Sequence, residues 1–486
     1  MCAHKVRLAI TVCGFGLMLS LNAFTLWGIS ALLDSSGTWP QAVRELTTWC
    51  LPANVGTFFI YGIAAARFTK LSARRPTTAA CAFLAAGALG LLGACGNAAL
   101  QPALLAWAGI SLGSGGALAF ICWEFAFAAT PTDDARKAIL MASLFSALPY
   151  CVLAFAPHTV MIVALTAGLI PACIALLLLG RRHIPLAKGS DGPAASDWHG
   201  LWSSLLVPLA CTMMVGLVGP ALGSFATLEP MNTTLRTLLY QFANLLSVGV
   251  LALCWFKLKV RPTLESAFLA LVPIAVVALF LFPFWSHGYQ GVVLAFGCFI
   301  FSFISILMMM LSIELSQRYG VGLGAVYGIF AGGTYLAQIL GGSLARVVAS
   351  SDYPKQFQVV AVVMLLLWGL SAIALLTMWR GRSKKPASSP AAPEKAASQA
   401  DMLTVRCEAL AHTHNLTPRE REVLELIGRG RDVGAIAEIL CLSRNTVRSH
   451  VQRLYADLDV HTRQELIDLL ENTAAESPAD RAPSGT

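Results

Sequence analysis

Charged residues are scarce in this chain. Only 12% of its 486 residues are Asp, Glu, Lys or Arg, 56% are hydrophobic, and mean hydropathy is +0.68. A soluble globular protein carries about 25% charged residues, so that class is excluded. The motifs of catalysis and metal binding are missing too. No H-E-x-x-H, P-loop or metal-ligand spacing occurs, so we expect no enzymatic activity, no metal and no cofactor. The thirteen cysteines form no C-x-x-C pair and scatter mostly through apolar stretches. That excludes a disulfide-stapled framework and leaves them as small packing residues.

Long apolar runs are what the chain has instead. A helix needs about 20 apolar residues to cross a bilayer, and twelve such spans fall near 8 to 33, 47 to 66, 77 to 98, 104 to 130, 138 to 157, 159 to 180, 201 to 225, 235 to 256, 264 to 284, 291 to 313, 321 to 349 and 356 to 379. The first run is longer than the 7 to 15 residues of a signal-peptide core, so we read it as a retained helix. Alternate loops hold nearly all the cations: Lys5 and Arg7; Arg67, Lys70, Arg74 and Arg75; Arg136 and Lys137; Arg181, Arg182 and Lys188; Lys257, Lys259 and Arg261; Arg318; then Arg380, Arg382, Lys384 and Lys385. The positive-inside rule makes that set cytoplasmic and predicts a multi-pass membrane protein with both termini inside.

The longest of these loops, 181 to 200, divides the spans six and six. Asn54 and Asn244, in spans two and eight, each precede a loop cation, Arg67 or Lys257, by thirteen residues, a weak internal echo. This layout resembles the major facilitator superfamily. The loop after span two, ARFTKLSARRP, keeps that family's cations but lacks its Asp, which argues against active transport.

Ionisable groups within lipid are expensive and point to function, and the acidic residue well inside a span is Glu124. It could carry a proton or meet a ligand amine; a structural role would pair it with Arg136 or Lys137. Asn22, Asn54, Tyr240, Gln241, Asn244 and Gln338 could line a cavity with it, and Trp27 and Trp123 favour an apolar, aromatic small-molecule ligand of unknown identity. Gly320, Gly324, Gly328 and Gly332 form a ridge at helical spacing in span eleven, suited to close packing inside the bundle or between copies.

After Trp379 the sequence RGRSKKPASSPAAPEKAASQAD has linker composition, and 22 flexible residues span only about 25 to 30 Å on average. From Leu416 four short helices follow. Thr417-Pro418-Arg419-Glu420 is a capping box with proline at the first helical position, and Val423, Leu424 and Ile427 point inward from its helix. A second helix, near 433 to 440, buries Ile436, Ala437 and Leu440. Ser443 caps a third, whose Val447, Val451, Leu454 and Leu458 form one apolar stripe. Its opposite face carries Asn445, Ser449 and Gln452, flanked by Thr446, Arg448 and Arg453, which suit base edges and phosphates. Thr462 to Glu465 caps a fourth helix. His412 and His414 precede the capping box in a segment expected to be flexible and solvated.

The stretch LTPREREVLELIGRGRDVGAIAEILCLSRNTVRSHVQRLYADLDVHTRQELIDLL closely resembles the LuxR-type helix-turn-helix domain. That resemblance implies a third helix in the major groove of double-stranded DNA, with Ser443 and Arg444 joining the contact set. It also implies a homodimer contact on the fourth helix through Leu466, Ile467, Leu469 and Leu470, and therefore a near-palindromic site. Gly434-Ala435 and Asp457 stand where family members usually carry phosphate-contacting Lys-Glu and Lys. Residues 401 to 475 hold twelve acidic residues, nine Arg and no Lys, so non-specific DNA affinity should be low.

The expected architecture is all-α: a polytopic bundle over 1–380 (halves 1–180 and 200–380), a linker over 381–405, a four-helix domain over 406–474 and a disordered tail over 475–486. The expected function is one-component transcriptional regulation, sensing a small molecule or the state of the lipid bilayer. The alternative is a secondary transporter with an appended regulatory domain.

Overall fold

The computed structural model describes residues 2–27, 39–68, 75–96, 99–154, 158–184, 197–226, 233–281 and 287–384, and in the tail 406–408, 410–411, 413–414, 416–428, 436–437, 440, 444–460, 462, 465–466 and 469–470. Every regular element among them is helical. The chain divides into two compact units, Met1–Arg382 and Ser383–Thr486.

The first unit contains twelve helices long and apolar enough to cross a membrane: α1 (His4–Leu26), α2 (Leu46–Arg67), α3 (Thr77–Gly96), α4 (Gln101–Ala128), α5 (Thr132–Leu153), α6 (Val160–His183), α7 (Trp198–Ala221), α8 (Leu238–Lys257), α9 (Leu264–Leu281), α10 (Gly291–Tyr319), α11 (Leu323–Ala349) and α12 (Phe357–Trp379). Helices suit these sequences because in lipid each backbone N–H and C=O must be satisfied within its own segment. Several helices outrun the apolar stretch that announces them. α5 begins at Thr132 because Asp133 and Asp134 occupy its first turn, where the helix dipole favours negative charge. Hydropathy marks where lipid ends, and the hydrogen-bond ladder continues beyond it.

The packing repeats with a period of six helices. Within the first half α1 packs on α4 and α5, α4 on α5, and α2 and α3 on α4; within the second α7 packs on α10 and α11, α10 on α11, and α8 and α9 on α10. Between the halves α2 packs on α11 and, equivalently, α8 on α5. Equivalent helices thus meet across the halves on both sides, and α4 adds contacts to α10 and α11.

Glycine sets the close approach of α11 to α2. A Cβ added at Gly328 would lie 2.7 Å from the Phe58 carbonyl oxygen and 3.0 Å from the Gly62 Cα, and one at Gly324 would lie 2.5 Å from the Tyr61 ring. Gly332 faces the ring of Phe59. Three of the four ridge glycines thus serve internal packing against α2. Gly320 is not part of the ridge: it lies before α11 in a turn with φ of 63°, a left-handed conformation that glycine adopts without strain.

The second unit has its own core, built from Val423, Leu424 and Ile427 of α13 (Pro418–Gly428), Val447 and Leu454 of α14 (Arg444–Asp457), and Ile436, Ala437, Leu458, Leu466 and Leu470. It also includes Cys407 and Leu410. Residues 406–408 and 410–411 are helical, so the segment expected to be a flexible lead-in contributes to the core. His414 Nδ1 lies 3.1 Å from the Asp457 carbonyl oxygen; His412 is outside the described residues.

Gly328→Ala should push α2 and α11 apart and cost about 1–3 kcal/mol, measured as a lower midpoint of thermal unfolding in detergent. Gly56→Ala, where the new methyl meets nothing within 4 Å, should leave the midpoint unchanged.

Candidate functional site

Two regions carry polar chemistry, one in each unit. In the second unit the entry to α13 is fixed by a reciprocal cap. The Thr417 main-chain N–H donates to Glu420 Oε2 at 2.9 Å, the Thr417 hydroxyl donates to the same oxygen at 2.6 Å, and the Glu420 N–H returns a bond to Thr417 Oγ1 at 3.3 Å. Those bonds hold the Glu420 carboxyl below the usual carboxylate range, helped by the positive surroundings of His450 and Arg453. The cap anticipated further along is also present in part: the Glu465 N–H donates to Thr462 Oγ1 at 3.2 Å.

On α14 the apolar stripe and the polar face separate cleanly. Val447 and Leu454 are fully buried, Leu458 nearly so, and Val451 half-buried. Asn445, Thr446, Arg448, Ser449, Gln452 and Arg453 are all exposed. Ser449 Oγ donates to the Asn445 carbonyl at 3.2 Å, which holds that side chain along the helix. The helix stops at Asp459, whose φ of 51° turns the chain while the Val460 N–H bonds back to the Tyr455 carbonyl at 3.0 Å. Ser443, Gly434 and Ala435 are outside the described residues, and Arg444 is described by its backbone alone.

The apolar surface assigned to a dimer contact is smaller than expected. Leu466 and Leu470 are buried in this unit's own core, which they share with Cys407, Leu410 and α14. Leu469 is half-buried against the same core, and Ile467 is outside the described residues.

In the membrane unit, Glu124 of α4 is 1% exposed and accepts a hydrogen bond at Oε1 from the Ser312 hydroxyl of α10, so it joins the two halves. It pairs with neither Arg136 nor Lys137, whose partners are Asp133 at 3.0 Å and Asp134 at 3.6 Å. The Arg136 guanidinium also lies 5.7 Å from the centre of the Trp255 ring on α8. Asn22 Nδ2 of α1 donates to the Tyr335 hydroxyl of α11 at 3.4 Å, and the Tyr335 ring stacks on Phe58 of α2 with 5.9 Å between centroids. Beyond Asn22 the helix widens into a π-helical turn, Ala23–Trp27, a local change often found at functional positions.

The other anticipated residues divide. Asn54 is buried and donates to the Gly113 carbonyl at 3.1 Å within the first half. Trp123 turns away from Glu124, and its ring packs beside Gly14 of α1 and Gly180 of α6. Tyr240, Gln241 and Asn244 are half-buried on α8, Gln338 is buried on α11, and the Trp27 side chain is outside the described residues. Among these anticipated residues, four buried polar atoms have no hydrogen-bond partner within the described residues: Glu124 Oε2, Asn54 Oδ1, Trp123 Nε1 and Gln338 Nε2. Such atoms are costly to leave unpaired, and they are the spare bonding capacity of the bundle. Sequence reasoning missed Ser312 and Phe58, since a lone serine or phenylalanine in an apolar run announces no partner.

These features define a class: a polytopic helical membrane unit joined in one chain to a small helical unit with its own core. The family described as "Bacterial regulatory proteins, luxR family" matches residues 414–470, and the tail is a LuxR-type helix-turn-helix domain. The chain is similar to the uncharacterized response regulatory protein YgeK of Escherichia coli (strain K12), 39% identical over 71 residues that make up 14% of this chain and 48% of that protein. It thus spans about half the length of that relative. The membrane unit is similar to the crystal structure of a single-residue mutant of the nucleoside transporter NupG, with a TM-score of 0.48, 13% identity, and coverage of 77% of this chain and 98% of that one. It is also similar to the Major Facilitator Superfamily transporter FucP in the outward conformation, with a TM-score of 0.44, 14% identity, and coverage of 76% and 98%.

Thr417→Ala should cost about 1 kcal/mol of local stability, read as faster amide hydrogen exchange across Pro418–Gly428 in the full-length protein. Because folding depresses the Glu420 carboxyl, its contribution is complete above the ordinary carboxylate pKa and is lost as pH falls through the depressed value. Protection should therefore fall on acidification in the wild type and change less in the variant.

Proposed function

We propose that this chain is a membrane-embedded, one-component transcriptional regulator. The observation that carries the reading is the division of α14 into a buried stripe and a fully exposed polar face, within a chain that also holds twelve helices long and apolar enough to span a membrane. In this reading Ser443, Arg444, Asn445, Thr446, Arg448, Ser449, Gln452 and Arg453 meet double-stranded DNA in the major groove. Arg448 and Arg453 supply charge, and Asn445, Ser449 and Gln452 supply donors and acceptors for base edges. Two copies read a near-palindromic site. Leu469 and Ile467 are the residues of the anticipated dimer set that remain for that contact, since Leu466 and Leu470 are committed to the domain core.

The loop cations support an inner-membrane topology with both termini in the cytoplasm, where the tail reaches DNA through the linker expected over 381–405, whose first residues, to Lys384, continue the last membrane helix. The membrane unit is then the sensor. A signal acts only if it binds one arrangement of the halves better than another, and the seam holding Glu124–Ser312 and Asn22–Tyr335 is where such arrangements would differ. The buried Glu124 also favours a second reading, a secondary transporter with an appended regulatory domain. That reading requires coupled flux that fails in Glu124→Gln, whereas the regulator reading requires a transcriptional response.

Arg448→Ala and Arg453→Ala should each weaken promoter binding by about 1–3 kcal/mol, read as loss of chromatin occupancy by the full-length protein with its membrane abundance unchanged. Occupancy equal to wild type in the double variant would sink the assignment of this face.

A further inference from the structure

The six-helix repeat of packing is incomplete at α12. α6 lies closely along α1 and α3, but among the described residues its counterpart α12 makes no comparably close approach to α7 or α9. A cavity fills the space between α7, α9, α10 and α12, and its walls include Val215, Phe268, Val272 and Leu370. Gly219 of α7 and Gly297 of α10 also line it, and a Cβ added at either would meet nothing within 4 Å. No lining side chain offers a hydrogen-bond donor or acceptor, and none of the residues anticipated as ligand contacts borders it.

We infer that this cavity seats one acyl chain of a membrane lipid. A polar ligand would lose its hydrogen bonds to water and regain none here, and a cavity lined only by hydrocarbon stays dry yet accepts apolar guests. The adjoining faces of its helices carry large exposed apolar side chains, Ile274 and Val277 on α9, Val292 at the start of α10, and Leu365 and Trp368 on α12. Its surroundings are therefore the bilayer, in which lipid chains are by far the most abundant apolar species and occupy such a seat by mass action. The site also has a mechanical position: α12 belongs to the helix Lys355–Lys384, which leads into the linker. If the regulator reading holds, on which this last step rests, occupancy of the seat conveys chain length or packing in the bilayer to the DNA-binding domain by setting how α12 lies on α7 and α9.

The test places full-length protein in bilayer nanodiscs doped with a phospholipid bearing a diazirine within one acyl chain, followed by photolysis and peptide mapping. Adducts should appear on the inward-facing Val272 and Leu370 and fall at least fivefold in Gly219→Leu/Gly297→Leu, which fills the cavity, while adducts on the outward-facing Ile274 and Trp368 stay constant. Gly249→Leu, in open space on α8, should label like wild type. Inward residues that remain unlabelled, or that label equally in the filled variant, would overturn the site. Labelling there by a free alkyl diazirine but not by the phospholipid would overturn the lipid source. Should the double variant fail to fold, Gly297→Ala, with a single methyl in the open space, must still reduce inward labelling. A reporter unresponsive to lipid chain length despite cavity labelling would refute the link to transcription and leave the seat intact.

Discussion

The joining of the two halves of the membrane unit rests on the close approach of α11 to α2. At Gly328 the two backbones come so near that a methyl group would strike the Phe58 carbonyl and Gly62. Between helices in lipid there is little hydrophobic driving force, because lipid tails are as apolar as leucine; close packing and interhelical hydrogen bonds supply the attraction. The approach brings Tyr335 and Tyr327 onto Phe58 and sets Tyr335 within reach of Asn22. The same six-helix repeat places α8 against α5, where Arg136 meets Trp255. Among the described residues the seam holds two hydrogen bonds, Glu124–Ser312 and Asn22–Tyr335, beside ring contacts on a glycine-lined track.

Much of this was legible in the sequence, for identifiable reasons. All twelve membrane helices coincide with apolar runs, since a run long enough to cross a bilayer has no alternative structure in lipid. The cap at Thr417 and Glu420 and the stripe of Val447, Leu454 and Leu458 were readable because both are local, fixed by spacing along one helix. Partners between helices were not. Glu124 could be singled out as an acid in lipid, but its bond to Ser312 depends on how α4 and α10 are rotated, and the charge of Arg136 suggested the wrong partner. Trp123 and Glu124 adjoin in sequence yet face different neighbours, as adjacent residues on a helix must.

The tail teaches the complementary lesson. Its fourth-helix leucines looked surplus because Cys407 and Leu410, which share their core, lie before the capping box in a stretch with little apolar pattern. Once those are counted, the core is closed with what is present, and less apolar surface remains for a partner. A small domain has so little interior that one helical turn decides whether a leucine is core or contact.

The exposed face of α14 has a further consequence that lies in its choice of cation. Its positive side chains, Arg448 and Arg453, are guanidinium groups, and the whole segment from 401 to 475 contains no lysine. A guanidinium keeps its proton at any physiological pH, and the amine acetylation that erases a lysine's charge has no target there. The charge this domain presents is chemically permanent, closed to the acetyl-group signalling that retunes lysine-rich surfaces.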